Sequence, residues 1–131
     1  MGEYQIKGFE IDRQAVAVLA YLEGSWWIEG QETTFRVSTA AWYNGREDGY
    51  SLTVHNYGHD NLIVTFGECR NSDSIFVDHW LQGPNINPPT VKDFTDEAYE
   101  QRRFFKYGDA AGAADYIREL IEKYVKEATN E

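Results

Sequence analysis

The sequence predicts an α+β domain: an antiparallel β-meander of four to six strands, with an N-terminal helix and two C-terminal helices packed on one face. Apolar residues cluster at helix-like spacing towards both ends of the chain and alternate with polar ones through its middle. Turn-forming pairs such as Asn44-Gly45 punctuate the alternating part, as an antiparallel meander requires. At 131 residues the chain has the size of one domain, 1–131, able to bury one core without metal or crosslinks.

Taken in order, a short strand at about Tyr4 to Ile6 precedes a helix over residues 12 to 24. Asp12 is its N-cap, Ala15 to Leu22 its apolar body, and Gly24 its stop. The body is apolar nearly all round, which predicts burial against a sheet, although Val16 and Val18 are also strand formers. From Trp26 the period becomes two, and Trp26-Trp27-Ile28 is a candidate leading strand. Phe35, Val37 and Thr39 alternate with Thr34, Arg36 and Ser38, and Tyr50, Leu52 and Val54 alternate with Ser51, Thr53 and His55. The connection between them opens with Asn44-Gly45 and closes with Asp48-Gly49. Tyr57-Gly58-His59-Asp60-Asn61 leads to a strand at Leu62 to Phe66, and the polar Glu68 to Asp73 leads to another at Ser74 to Leu81.

Gly83-Pro84 and Asn87-Pro88-Pro89 end the sheet, because proline can neither donate to a ladder nor follow a helical residue easily. Thr95 then caps a predicted helix from Asp96 to about Tyr107, with Gly108 as its stop. Asp109 opens a last helix in which Ala110, Ala113, Ala114, Ile117, Leu120, Ile121, Tyr124 and Val125 share one face.

The chain carries a net charge of −10 and an aromatic content of 15%. The acidity is spread: residues 1 to 31 contribute −3, residues 32 to 90 contribute −4, and residues 91 to 131 contribute −3. Such a surface repels nucleic-acid phosphates and anionic membranes and attracts basic proteins. No apolar run has the length of a membrane span and the first residues lack the form of a signal peptide, so cytoplasmic residence is expected. Cys69, the single cysteine, excludes an internal disulfide and fits a reducing compartment.

Signatures of catalysis and cofactor binding are weak. His55 and His59 have ligand-like spacing, but Tyr57-Gly58 between them indicates a turn, and no further cluster completes a metal set. Cys69 has no nucleophile motif around it, and Asp78-His79, adjacent in a strand, point to opposite faces. The glycines form no phosphate-binding fingerprint. No cofactor, metal or catalytic residue is therefore expected.

The face of the sheet away from the helices is where a partner is expected. Ile75, Val77 and Leu81 alternate with Phe76, Asp78 and Trp80, and the second set combines rings with an acid. With Trp42, Glu47, Asp48 and Asp73, those three residues make the expected partner surface. The expected function is that of a small acidic cytosolic inhibitor, with no enzymatic activity, that occludes a basic nucleic-acid-binding protein such as a nuclease. Carboxylates would stand in for phosphates, as in proteins of the anti-defence or toxin-immunity type, which this chain matches in composition and size alone. The alternative is a small enzyme or ligand-binding domain with a pocket between sheet and helices, near the Pro-rich crossing at 84 to 89. Homodimerisation through the last helix or an edge strand is compatible with either.

Overall fold

The computed structural model describes residues 5–6, 9–10, 13–22, 35–43, 48–56, 58–69, 73–83 and 101–129. In chain order these form β1 (Gln5–Ile6), β2 (Phe9–Glu10), α1 (Arg13–Leu22), β3 (Phe35–Tyr43), β4 (Asp48–Asn56), β5 (Asn61–Cys69), β6 (Ser74–Gln82), β7 (Arg103–Lys106) and α2 (Ala110–Thr129). The first two strands pair with each other, and the other five form one antiparallel sheet in sequence order. No described helix is long and apolar enough to cross a membrane.

The period-two pattern sets the faces. Tyr50, Leu52 and Val54 of β4 stand opposite Phe66, Val64 and Leu62 of β5, and Phe66 stands opposite Val77 of β6. On this side α1 lays down Ala15, Val18 and Leu22, and α2 lays down Ala113, Ala114, Ile117, Ile121 and Val125, in one continuous core. Burying each larger aliphatic side chain there is worth about 1.5–3 kcal/mol. Polar contacts fix the helix ends. The Gln14 N–H at the start of α1 faces Glu68 Oε2 at 3.4 Å, which places a carboxylate at the positive end of the helix. The Gln14 side-chain oxygen accepts the Gly108 N–H at 2.8 Å, tying α1 to the connection before α2. Asp109 caps α2, its Oδ1 accepting the Gly112 N–H at 3.0 Å.

The expectation of two C-terminal helices is overturned: one helix, α2, occupies the described C-terminal part. Arg103–Lys106, assigned from sequence to a helix over Asp96 to Tyr107, is an edge strand that pairs with Ser74–Val77. Aromatic residues suit a strand, and the pairing places Phe105 beside Ile75 on the helix side and Phe104 beside Phe76 on the other. Arg103 stacks over the rings of Phe105 and Tyr116 at 5.0 and 4.6 Å, so the strand is also held by α2. The expected cap at Thr95 and Asp96 lies outside the described residues, as do Asp12, Gly24, Trp26-Trp27-Ile28, Asn44-Gly45 and the Pro-rich crossing.

The central strands are longer than the alternation alone marks. β4 begins at Asp48, so Asp48-Gly49 belongs to the ladder, and β5 runs on through Glu68 and Cys69. Gly49 is needed where it stands, because a Cβ there would fall against the Phe66 carbonyl oxygen and close to Gly67. Gly58, with φ of 81°, supplies the left-handed residue of the β4–β5 turn, in which the His59 N–H meets the Asn56 carbonyl at 2.9 Å. Gly49→Ala is expected to destabilise the fold by about 1–3 kcal/mol, as overpacking of an interior does. A chemical-denaturation midpoint equal to that of the parent chain would refute this account of β4.

Candidate functional site

The structure describes six of the seven residues expected to bind a partner. Trp42 sits in β3 in register with Gly49, Asp48 opens β4 in register with Tyr43, and Glu47 lies outside the described residues. Asp73 is exposed at the turn into β6, where its φ of 48° gives it a backbone role that Asp tolerates better than most residues. The remaining three are buried. Phe76 and Asp78 are 0% exposed and Trp80 is 3% exposed, which corrects the expectation that this face of the sheet lies open.

Their burial has identifiable partners. Asp78 takes a bidentate pair of hydrogen bonds from Arg102, Nε to Oδ1 and Nη2 to Oδ2, both at 2.8 Å. The guanidinium also lies 4.4 Å from the centre of the Phe76 ring, so one side chain immediately before β7 neutralises the acid and covers the aromatic. Trp80 packs with Ile63, and Phe76 packs with Cys69, a buried free thiol. Ser51, Thr53 and Thr65 complete a buried face more polar than the helix side. Asp78 is thus a structural acid. His55 is engaged with the Ser38 hydroxyl at 2.9 Å, whereas His59 is exposed in the turn. Among the described residues no group of three or more His, Cys, Asp or Glu side chains could hold a metal ion.

The better candidate lies at one end of the sheet, where the β4–β5 turn, the end of β6 and the last turns of α2 meet. Leu81 is 59% exposed there although its register places it on the helix side. Two adjoining hollows share Leu81, Tyr124 and Glu127. One, of about 260 Å³, is also lined by Asn56, His59 and Asp60. The other, of about 230 Å³, runs between β6 and α2 past Leu62, His79, Gln101, Leu120 and Lys123. Each is smaller than the roughly 300–1,000 Å³ typical of small-molecule pockets, and suits a protruding side chain better.

Tyr124 ties the site together. Its hydroxyl donates to the Asp60 carbonyl at 2.5 Å, linking α2 to the turn. Burial raises its pKa above 10.0, opposed by a hydrogen bond with Asn56 and reinforced by the Asp60 carboxylate. Two carboxamides mark the same end. Asn61 and Gln82 stand opposite each other, and their oxygens accept from the Asn56 N–H at 3.2 Å and the Trp80 Nε1–H at 2.7 Å. Their buried nitrogens have no hydrogen-bond acceptor. An unmet buried donor costs about 1–3 kcal/mol, so this end of the sheet carries polar groups that the described chain leaves unsatisfied.

Sequence reasoning placed Leu81 and Tyr124 in the core; Tyr124 is partly buried against it, whereas Leu81 is exposed. A signal against that was available: His79 interrupts the apolar series Ile75, Val77, Leu81, which marks the core as ending near Val77. No family model matches the chain, and comparisons with curated proteins and with solved structures find no match.

Because Asp78 is buried, its substitution should act on stability. Arg102→Met, which strands the carboxylate, is expected to cost about 3–5 kcal/mol, with Asp78→Leu in the same chain restoring most of the loss. A single variant as stable as the parent would refute the burial of this pair. The raised Tyr124 pKa predicts a stability contribution fully present below pH 10 and lost as pH rises through the folded-state value. In urea titrations across alkaline pH, Tyr124→Phe should therefore show a shallower decline than the parent; parallel curves would exclude this coupling.

Proposed function

We propose that this chain is a small acidic protein-binding inhibitor that occludes a basic, nucleic-acid-handling protein, and that contact is made at the sheet end around Leu81. The observation that carries the reading is an apolar side chain, 59% exposed, between two hollows whose shared rim includes Glu127 and whose outer edge includes Asp60. An exposed aliphatic anchor with carboxylates beside it suits a partner surface that offers a cleft lined by Lys and Arg. Lys123 on the same rim offsets part of the negative charge.

Long-range attraction has a separate source. The described residues carry eleven acids and eight bases, a net −3, and the remaining segments carry eleven acids and four bases, a net −7. The total of −10 favours encounter with a basic surface and disfavours association with nucleic acid itself. Occlusion follows if the acidic chain occupies the groove that phosphates would otherwise fill.

Capture from host extract on the immobilised chain is expected to recover a basic protein whose DNA or RNA binding is displaced by the free chain. Retention should fall steeply as salt rises, and Leu81→Asp and Glu127→Lys should each weaken it without lowering the melting temperature. Salt-independent retention, or retention indifferent to both substitutions, would sink the proposal.

A further inference from the structure

We propose that the hollow of about 260 Å³ between the β4–β5 turn, Leu81 and the end of α2 receives one arginine side chain of the partner, its stem on Leu81 and Tyr124 and its guanidinium between Asp60 and Glu127. The proposal rests on the protein-binding reading above and names what that surface grips. Three elements build the hollow: the turn supplies Asp60, β6 supplies Leu81, and α2 supplies Tyr124 and, one helical turn further on, Glu127. Two contacts hold them in place before a partner arrives. The Tyr124 hydroxyl donates to the Asp60 carbonyl, joining α2 to the turn, and the His59 N–H donates to the Asn56 carbonyl, closing the turn itself. A site set in advance loses little freedom on binding.

Charge and shape together select the occupant. Among the described residues, the lining holds two carboxylates, Asp60 and Glu127, against one histidine, His59, and no lysine or arginine. Lys123 lies along the neighbouring hollow instead. The Asp60 carboxylate is near enough to the Tyr124 hydroxyl to help raise its pKa, which places that charge at the polar end of the ring. The helix backbone adds negative potential independently of the side chains. Glu127 and Ala128 belong to the last turn of α2, which ends at Thr129, and the final carbonyls of a helix lack intrahelical partners. A cation on an apolar stem matches both parts of the lining, because Leu81 and Tyr124 cover the stem while the charged head stays among acceptors. Arginine suits it better than lysine. A flat guanidinium can lie on an aromatic face and send its five N–H donors to acceptors on two sides, whereas an ammonium is compact, more strongly hydrated and has three.

The test uses the whole chain and three synthetic peptides: acetyl-Gly-Arg-Gly-amide and the same peptide with citrulline or lysine in place of arginine. The arginine peptide is expected to shift the amide resonances of Asp60, Leu81 and Tyr124 to Ala128, together with the Leu81 methyl resonances. Citrulline keeps the length and the flat head of the side chain but removes its charge, and should bind at least about tenfold more weakly; lysine should bind at least about threefold more weakly. Asp60→Asn and Glu127→Gln, both at exposed positions, should each weaken the arginine peptide at least about threefold with the melting temperature unchanged. Equal binding of the citrulline or lysine peptide, no shift at millimolar peptide, or shifts spread equally over the exposed acids Asp115, Glu119 and Glu122 would overturn arginine insertion. Host-partner capture that falls with Leu81→Asp but is unchanged by Asp60→Asn and Glu127→Gln would overturn it too, and leave the protein-binding reading standing. Capture indifferent to both Leu81→Asp and Glu127→Lys overturns both.

Discussion

Strand β5 has no solvent side, and the arrangement of the other elements follows from covering it twice. Asn61 to Gly67 are all buried, including residues that point to opposite faces. A central strand of that kind requires cover from two layers. The helices provide one, with Leu62, Val64 and Phe66 under α1 and α2. The other side is closed in part by Trp80 on Ile63 and by Arg102 over Phe76. Gly49 belongs to the same constraint, since a Cβ there would fall against the Phe66 carbonyl oxygen of β5.

Covering the second face has an electrostatic consequence. Asp78 opposes Thr65 in the buried ladder, a position where an unpaired carboxylate would be costly. The bidentate Arg102 contact offsets that cost and also fixes where the chain enters β7. Attachment of the edge strand and neutralisation of the buried acid are therefore one event. β7 begins opposite Val77, directly after Arg102, so the ion pair with Asp78 sits where the edge strand starts.

How far the fold was legible depends on segment length. Nine-residue strands with alternating faces and a twenty-residue helix with a clear apolar stripe announce themselves. Arg103–Lys106 is too short to display a period, and it is flanked by residues equally suited to a helix start and stop, so only its pairing with Ser74–Val77 decides its state. The cover on the second face was harder still, because alternation says which residues share a face and not what lies on it. A signal was nevertheless present in the unbroken apolar runs Leu62-Ile63-Val64 and Ile75-Phe76-Val77, the pattern of strands buried on both sides. The candidate site was missed because Leu81 continues the apolar pattern of its strand and nothing in that pattern marks it as exposed.

That miss also bears on how the charge acts. At physiological salt the field of an exposed carboxylate fades over about 8 Å, so acids distributed along the chain mainly raise the rate of encounter with a basic surface. They cannot by themselves choose an orientation. On the proposed reading, orientation would come from a place where shape and apolar contact coincide, and the sheet end offers both in the exposed Leu81 and the two hollows it lines. The buried acid–aromatic face cannot serve, because Arg102 already satisfies it from within the chain. On the proposed reading, dispersed acidity and a localised anchor would divide the work of recognition, the first setting how often a basic partner arrives and the second how it is held.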